Sequence, residues 1–438
     1  MCVPTLRLLV ICLLLGLISG CGGESPAATE IAMETALPVS SPTPLVSSQI
    51  TSVPAATAVS DSASLTIWWP DEFYPTDVDI LDAQIRDFAL NQGDDFDIEL
   101  RRKPTLGDGG IMSTLASANA AAPGALPDLT LMQRRDLISA AQAGLINPMD
   151  EVIRIGLDDN IYDTVSLQGV FEGGVYGLPY AVDVTVLAMD AGLSLDPQSI
   201  TFEAMLMIDG QWAFPAGRLS GVSRTVYLQY LSISDNPFDV GEGGTVSLDP
   251  TALQTLFEFY EMSREAGTIT TEAAEYASLN DYTLSLITGD LAAGVITFSE
   301  YLPLSADNDD LRIGSVPVAT GDATGYLDGW MWVMISDSPQ TQAAIADFLE
   351  WVMLPERQQD LTAATNTLPS RRDVLLDIDT NRFDTELLDQ IISNGVSPLT
   401  DITITTAMRS VQSAVASIII GDADADAALE SLQDLLAG

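Results

Sequence analysis

The chain has 438 residues and is 47% hydrophobic, which suffices for two or three globular units at about 100–200 residues each. Its 62 acidic and 17 basic residues give a formal net charge of −45, so nucleic acid is not an expected partner. The absence of histidine excludes Ser-His-Asp and Cys-His catalysis and His-ligated zinc. All cysteines, Cys2, Cys12 and Cys21, lie at the N-terminus, so the remainder has neither a disulfide nor a thiol nucleophile.

Residues 1–20 have the pattern of a signal peptide. Arg7 precedes an apolar run over residues 8–18, which is too short for a spanning helix of about 20 residues. The run Ile18-Ser19-Gly20-Cys21 resembles the bacterial lipobox. This resemblance implies cleavage before Cys21 and attachment of acyl chains to that residue, which together anchor a protein to a membrane. The alternative is an ordinary secretory signal with an incidental cysteine.

Residues 21–64 are rich in serine, threonine, proline and alanine. This composition buries too little apolar surface to order itself, so the segment is expected to be a disordered tether.

The globular part is expected to begin with a strand at residues 64–70. Apolar residues spaced by three and four then predict a helix from Val78 to Phe88, alternation predicts a strand over residues 96–100, and a second helix follows from Ile111. A short strand is expected at residues 128–132, and a helix at residues 136–143 closed by Gly144.

The same alternation returns in the second half of the chain. Asp249 and Pro250 begin a predicted helix that Gly267 ends. Strands are expected at residues 292–298 and 329–335, and helices after Pro339, after Pro355 and from Asp422. Such alternation favours an α/β fold with helices on both faces of a parallel sheet, whose ligands bind beyond the carboxyl ends of the strands.

Five short segments, in order between residues 65 and 375, resemble stretches of the extracellular solute-binding proteins of family 1, which include sugar receptors of ABC importers. They are residues 127–131 (PDLTL), 143–150 (AGLINPMD), 175–180 (VYGLPY), 289–295 (GDLAAGV) and 368–371 (LPSR). The resemblance implies a two-lobed periplasmic-binding-protein-like fold, each lobe a mostly parallel sheet flanked by helices. Lobe one is expected over residues 65–182 and 325–370, and lobe two over 183–324 and 371–438, with hinge closure around the ligand.

The function implied is a receptor that binds a small solute, expected to be a sugar or oligosaccharide, and passes it to the permease subunits of an importer. We expect a monomer on the extracytoplasmic face of the membrane, held only by its lipid anchor, with no cofactor, no metal and no catalysis. Two alternatives stay open. One is a lipid-anchored carbohydrate-active hydrolase using Asp183 and Glu300. The other is a calcium-dependent adhesion protein, but Ala427 and Gln433 stand where an EF-hand loop needs glycine and glutamate.

Sugar sites combine aromatic faces with planar polar groups, since the C–H face of a pyranose stacks on a ring and its hydroxyls need partners. The predicted aromatic contacts are Trp68, Trp69, Tyr180, Tyr301 and Trp330, and Trp212 and Trp332 are further candidates. The predicted polar contacts are Asp183 and Glu300 as acceptors and Arg134 and Arg371 as donors. For each aromatic the alternative is core packing, and for each charge an exposed surface position. Tyr180, Tyr301 and Trp330 are expected to be partly exposed in an open cleft.

Overall fold

The computed structural model describes residues 64–93, 96–153, 160–217, 221–241, 245–306, 308–319 and 321–437. The predicted signal peptide, the Cys21 lipidation site and the tether up to residue 63 therefore lie outside the described residues. Within the described ranges, no helix has the length and apolar character needed to cross a membrane.

Thirteen strands occur in the described chain. They are β1 (Ser64–Pro70), β2 (Asp97–Lys103), β3 (Leu129–Met132), β4 (Val170–Phe171), β5 (Gly174–Val175), β6 (Leu178–Asp190), β7 (Trp212–Ala213), β8 (Phe238–Val240), β9 (Val246–Leu248), β10 (Ala293–Thr297), β11 (Leu311–Gly314), β12 (Leu327–Met334) and β13 (Leu368–Pro369).

Fifteen α-helices accompany them in the same ranges. They are α1 (Val78–Gln92), α2 (Ile111–Ala121), α3 (Arg134–Gln142), α4 (Asp163–Ser166), α5 (Phe202–Met205), α6 (Arg224–Leu231), α7 (Pro250–Ala266), α8 (Thr283–Thr288), α9 (Phe298–Ala306), α10 (Pro339–Val352), α11 (Pro355–Ala364), α12 (Arg372–Leu376), α13 (Thr385–Ser393), α14 (Ile402–Ile420) and α15 (Ala425–Ala437).

Nine strands form one sheet in the order β2-β1-β3-β12-β6-β10-β7, and β11 and β13 also pair with β6. The pairs towards the two ends are parallel: β1 with β2 and β3, and β7 with β10. The pairs around β12 and β6 in the middle are antiparallel. This mixed α/β sheet flanked by helices confirms the predicted fold class.

The thirteen-residue strand β6 joins the two ends of the sheet. Its first part pairs with β12, from Leu178 to Val184, and its second part pairs with β10 and β11 from Thr185 onward. Almost every residue of β6 is buried, as expected for a strand covered on both faces. Asp183, which is partly exposed, is the charged residue inside this run.

Among the described residues, the buried side chains form three clusters. The first includes Leu65, Trp332 and Phe348 and covers one face of β1, β3, β12 and β6. A smaller cluster around Met132 and Leu137 covers the other face beneath α2 and α3. The remaining cluster packs α5, α6, α7, α14 and α15 against β7 and the second part of β6.

Most of the predicted helix boundaries are confirmed, and the contacts explain them. The side chain of Asp249 accepts hydrogen bonds from the amides of Thr251 and Ala252 at the start of α7, and Gly267 ends that helix with φ +70°. At the C-terminus the predicted final helix is present, but it begins at Ala425 rather than at Asp422, and Asp424 Oδ1 accepts from the Ala427 amide at its start.

Candidate functional site

A cavity of about 590 Å³ lies beside β6, between the two ends of the sheet. On one side its lining comes from α3, from β12, from the short 3-10 helix that carries Glu72 and from the loop that carries Leu106. On the other side it comes from α6, β10 and the segment around Ser278. The size is in the range of small-molecule binding sites.

Four aromatic residues of the described chain line the cavity: Tyr227, Tyr282, Tyr326 and Trp330. Trp330 keeps 7% of its surface exposed, and its ring stacks on the buried ring of Phe73, with centroids 5.4 Å apart. This packing holds the indole in place at the cavity wall. A fixed aromatic face of this kind is suited to stacking against a flat apolar surface.

An ion pair stands in the cavity wall. Arg224 is the first residue of α6, and its Nη2 donates to Asp328 Oδ2 on β12 at 2.8 Å. The Cζ atom of the same guanidinium lies 5.1 Å from the ring centroid of Tyr326, a cation–π arrangement. The pair therefore connects a helix on one side of the cavity with a central strand.

Two further carboxylates help to position α9 at the cavity. Glu300 lines the cavity, and its Oε2 accepts from the amide and hydroxyl of Thr297. Asp183 accepts from the amide of Ser299 at 3.0 Å and from its hydroxyl at 2.6 Å. Burial raises the pKa of Asp183 to about 6, although these hydrogen bonds and the charge of Arg224 act in the opposite direction.

Another charged pair lines the cavity at the start of α3. Burial raises the pKa of Asp136, the nearby charge of Arg135 opposes this shift, and the charge of Asp328 adds to it. Arg135 is exposed and extends towards Gly221 on the opposite side. Across the described residues, no group of three or more acidic or cysteine side chains is arranged to hold a metal ion.

Of the predicted site residues, the structure places Trp330 and Glu300 in the cavity wall, and it places Asp183 beside the wall through Ser299. Trp330 and Trp332 share one face of β12, as predicted, and both belong to the first buried cluster; Trp332 has no exposed surface, whereas Trp330 keeps 7% and also borders the cavity. Trp212 is also fully buried, in the cluster beneath α7.

The expected exposure of Tyr180 is wrong, and Trp68 and Trp69 are likewise buried away from the cavity. Tyr180 has no exposed surface and packs against Trp332 and Phe73. Trp69 stacks on Phe73 and donates its Nε1–H to the carbonyl of that residue at 2.8 Å. Trp68 lies in the cluster beneath α2 and α3. The physical reason is that both faces of this part of the sheet are covered.

Tyr301 also differs from the prediction, because it is 1% exposed and its hydroxyl donates to the carbonyl of Arg382 at 3.1 Å. The predicted donors lie elsewhere too. Arg134 Nη1 donates to backbone carbonyls, including Gln168 at 2.5 Å, and so ties α3 to the 3-10 helix before β4 and to the start of β4. Arg371 pairs with Asp373 at 2.6 Å outside the cavity.

Sequence reasoning missed Arg224, Asp328, Tyr326, Tyr227 and Asp136, and it chose Arg134 where Arg135 reaches the cavity. The position at which α3 begins is the local signal that distinguishes these two arginines. Because Arg134 already begins a helix, Arg134 and Arg135 point in directions about 100° apart, as 3.6 residues per turn requires. For Arg224 and Asp328, which are 104 residues apart, no local signal exists.

Residues 83–383 match the bacterial extracellular solute-binding protein family. The fold is similar to the sugar-binding protein MalE of Xanthomonas citri, with TM-score 0.66 and 16% identity over 85% of this chain and 96% of that one. It is also similar to a cyclo/maltodextrin-binding protein complexed with maltotetraose, with TM-score 0.65 and 15% identity over 85% of this chain and 96% of that one. A third similar structure is the Thermus thermophilus maltotriose-binding protein bound with maltotriose, with TM-score 0.58 and 16% identity over 85% of this chain and 98% of that one. No curated protein sequence matches the chain significantly.

Proposed function

This chain belongs to the bacterial extracellular solute-binding proteins, and from that premise we propose that it is the sugar receptor of an ABC importer. The ligand is a sugar or oligosaccharide held in the cavity, and the receptor passes it to the permease subunits. The family locates the protein outside the cytoplasm. Its members are binding proteins, and the alternative of a carbohydrate-active hydrolase gains no support.

The observation that carries this proposal is the composition of the cavity wall. The indole of Trp330 and the rings of Tyr227 and Tyr326 offer faces for a pyranose, and Arg224, Glu300 and Asp328 offer partners for hydroxyl groups. The solved relatives named above with maltotetraose and maltotriose support a carbohydrate as the class of ligand.

The proposal includes the two lobes implied by the family resemblance, residues 65–182 with 325–370 and residues 183–324 with 371–438. The antiparallel strands β6 and β12 would serve as the crossover between them, and closure about these strands would trap the ligand. We further propose that acyl chains on Cys21 hold the receptor at the outer face of the membrane.

A thermal-shift experiment with the mature protein tests the ligand class. Maltose, maltotriose and maltotetraose are compared with an amino acid and a polyamine as controls. A ligand at one hundred times its Kd stabilises by about 2.7 kcal/mol, which for a globular part of this length corresponds to a rise in Tm of about 3 °C. If no saccharide in a wider panel raises the Tm and a control solute does, the sugar assignment is wrong and the receptor reading alone remains.

A further inference from the structure

The ion pair between Arg224 and Asp328 is exposed to the cavity to different degrees on its two sides. The side chain of Arg224 is 40% exposed, whereas that of Asp328 is 14% exposed. Both residues line the cavity. The cation is therefore the more accessible member of the pair to a ligand, and the carboxylate is the less accessible one.

Several contacts hold this guanidinium in one place. The residues that follow Arg224 in α6 are buried, which fixes the backbone that carries it. Asp328 Oδ1 accepts from the amide of Gly329 at 3.0 Å, so its other oxygen is directed to Arg224. The ring of Tyr326 lies beside the guanidinium and packs edge-on against Tyr227, with centroids 6.3 Å apart. A side chain with many rotamers is thus ordered before any ligand arrives.

Most of the hydrogen-bonding capacity of Arg224 is left for a ligand. A guanidinium carries five N–H donors, and among the described residues only Asp328 accepts from this one. The remaining donors have no partner in the described part of the chain. A ligand oxygen in the cavity can therefore accept from Arg224 without breaking the ion pair.

The charges around the cavity determine which oxygen-bearing group of a ligand, a hydroxyl or an anionic carboxylate or phosphate, is favoured beside Arg224. The described lining residues include the acids Glu72, Asp136, Glu300 and Asp328 but only two bases, Arg135 and Arg224. Because Asp328 already neutralises Arg224, a carboxylate or phosphate on a ligand meets an excess of negative charge. A hydroxyl group carries no charge, accepts from a guanidinium and donates to a carboxylate, so it satisfies both members of the pair.

We propose that the Arg224–Asp328 pair makes this cavity select uncharged polyhydroxylated ligands over anionic ones. Arg224 donates to a ligand hydroxyl and Asp328 accepts from one, while the ring of Tyr326 at the cavity wall holds the guanidinium in its orientation. This inference rests on the proposed function, because it assigns the charge class of the ligand in the same cavity.

The test is isothermal titration calorimetry with maltotriose and with its derivative in which one C6 hydroxymethyl group is oxidised to a carboxylate. The wild type is expected to bind maltotriose more tightly. In Asp328→Asn the amide oxygen still accepts from Arg224 but the negative charge is gone, so the preference for maltotriose should fall by about tenfold. Asp434→Asn, the same change at an exposed position on α15, should leave the preference unaltered.

Two further variants separate selection from folding. Arg224→Gln removes the cation and leaves Asp328 charged, so the preference for maltotriose should increase while both affinities fall. Tyr326→Phe keeps the ring and should resemble the wild type, whereas Tyr326→Ala should weaken binding. If Asp328→Asn is unstable, Arg224→Gln still tests the inference, because it should change the preference for maltotriose in the opposite direction.

The outcomes are distinguishable. A wild type that binds the oxidised derivative as tightly as maltotriose overturns the inference and leaves the sugar receptor standing. So does a folded Asp328→Asn variant with an unchanged preference. If the wild type binds neither compound nor any other saccharide, both the sugar assignment and this inference are wrong.

Discussion

At the scale of single residues, the surroundings of a side chain decide its role more than its type does. Trp330 and Trp332 lie two positions apart on β12 and point to the same face. Trp332 is enclosed by Trp69, Tyr180 and Phe348, whereas Trp330 borders the cavity. These two tryptophans therefore form a matched pair for separating binding from stability.

We predict that Trp330→Ala lowers ligand affinity by about 2 kcal/mol, as expected for a stacking aromatic in a desolvated site. Trp332→Ala should instead lower the free energy of unfolding by about 3–5 kcal/mol, the usual cost of a cavity left by a core aromatic. Chemical denaturation and calorimetric titration of both variants check this. If Trp330→Ala loses as much stability as Trp332→Ala and its folded fraction binds the ligand as tightly as the wild type, the assignment of Trp330 to the site is wrong.

Asp183 gives a prediction for pH dependence. Burial is the main cause that raises the pKa of its carboxyl from 3.8 to about 6, so folding favours its protonated form. Its contribution to stability is therefore fully present below pH 3.8 and is lost as the pH rises through about 6. We expect the Tm of the wild type minus that of Asp183→Asn to become more negative between pH 4 and pH 7.

Taking this difference between two proteins cancels the other titrating groups. The charged groups whose fields act on Asp183 are Arg224 and Asp328, and neither changes in the variant. A difference in Tm that stays constant across this range would show that the carboxyl does not titrate there.

At the scale of elements, β6 explains why several predicted contacts are buried. A strand that joins two parts of a sheet looks accessible when only its sequence position is considered. In the structure β12, β10, β11 and β13 pair along its length, and helices cover both faces. Tyr180 is consequently a core residue, and the cavity is lined instead by neighbouring elements such as α6.

The start of α7 allows a prediction for a single helix. Asp249 Oδ1 caps the helix, and its Oδ2 accepts from the hydroxyl of Ser234 at 2.7 Å. Asp249→Ala should reduce the free energy of unfolding by about 1–2 kcal/mol, the range for losing such a cap. Asp249→Asn keeps an acceptor oxygen and should cost less. Urea denaturation compares the two, and an alanine variant as stable as the wild type would contradict the role of the cap.

At the scale of the whole molecule, the proposal assigns separate tasks to the globular part and to the N-terminal segment. We propose that the cavity binds the solute and that the lipobox-like run places the receptor at the membrane. The net charge of −45 favours solubility and keeps the body away from anionic surfaces, so attachment would depend on acyl chains.

Cell fractionation tests the anchor. Cys21→Ser removes the thiol that would be acylated, so the protein should leave the membrane fraction or remain as an unprocessed precursor. Cys12→Ser, within the predicted signal peptide, is the matched control and should behave as the wild type. Normal processing and membrane association of Cys21→Ser would make the lipoprotein proposal wrong.

The sequence by itself determined the elements that carry strong local signals, such as α1, α7 and α10, because helix periodicity, strand alternation and caps such as Asp249 are local. The order of the five family-like segments likewise indicated the fold class and the family. The cavity was decided only by tertiary structure. Arg224 and Asp328 are 104 residues apart and meet through the packing of α6 beside β12, and burial of Tyr180 depends on strands that pair with β6 from distant parts of the chain. Long-range packing, which leaves no periodic trace in the sequence, separates a wall residue such as Trp330 from a core residue such as Trp332.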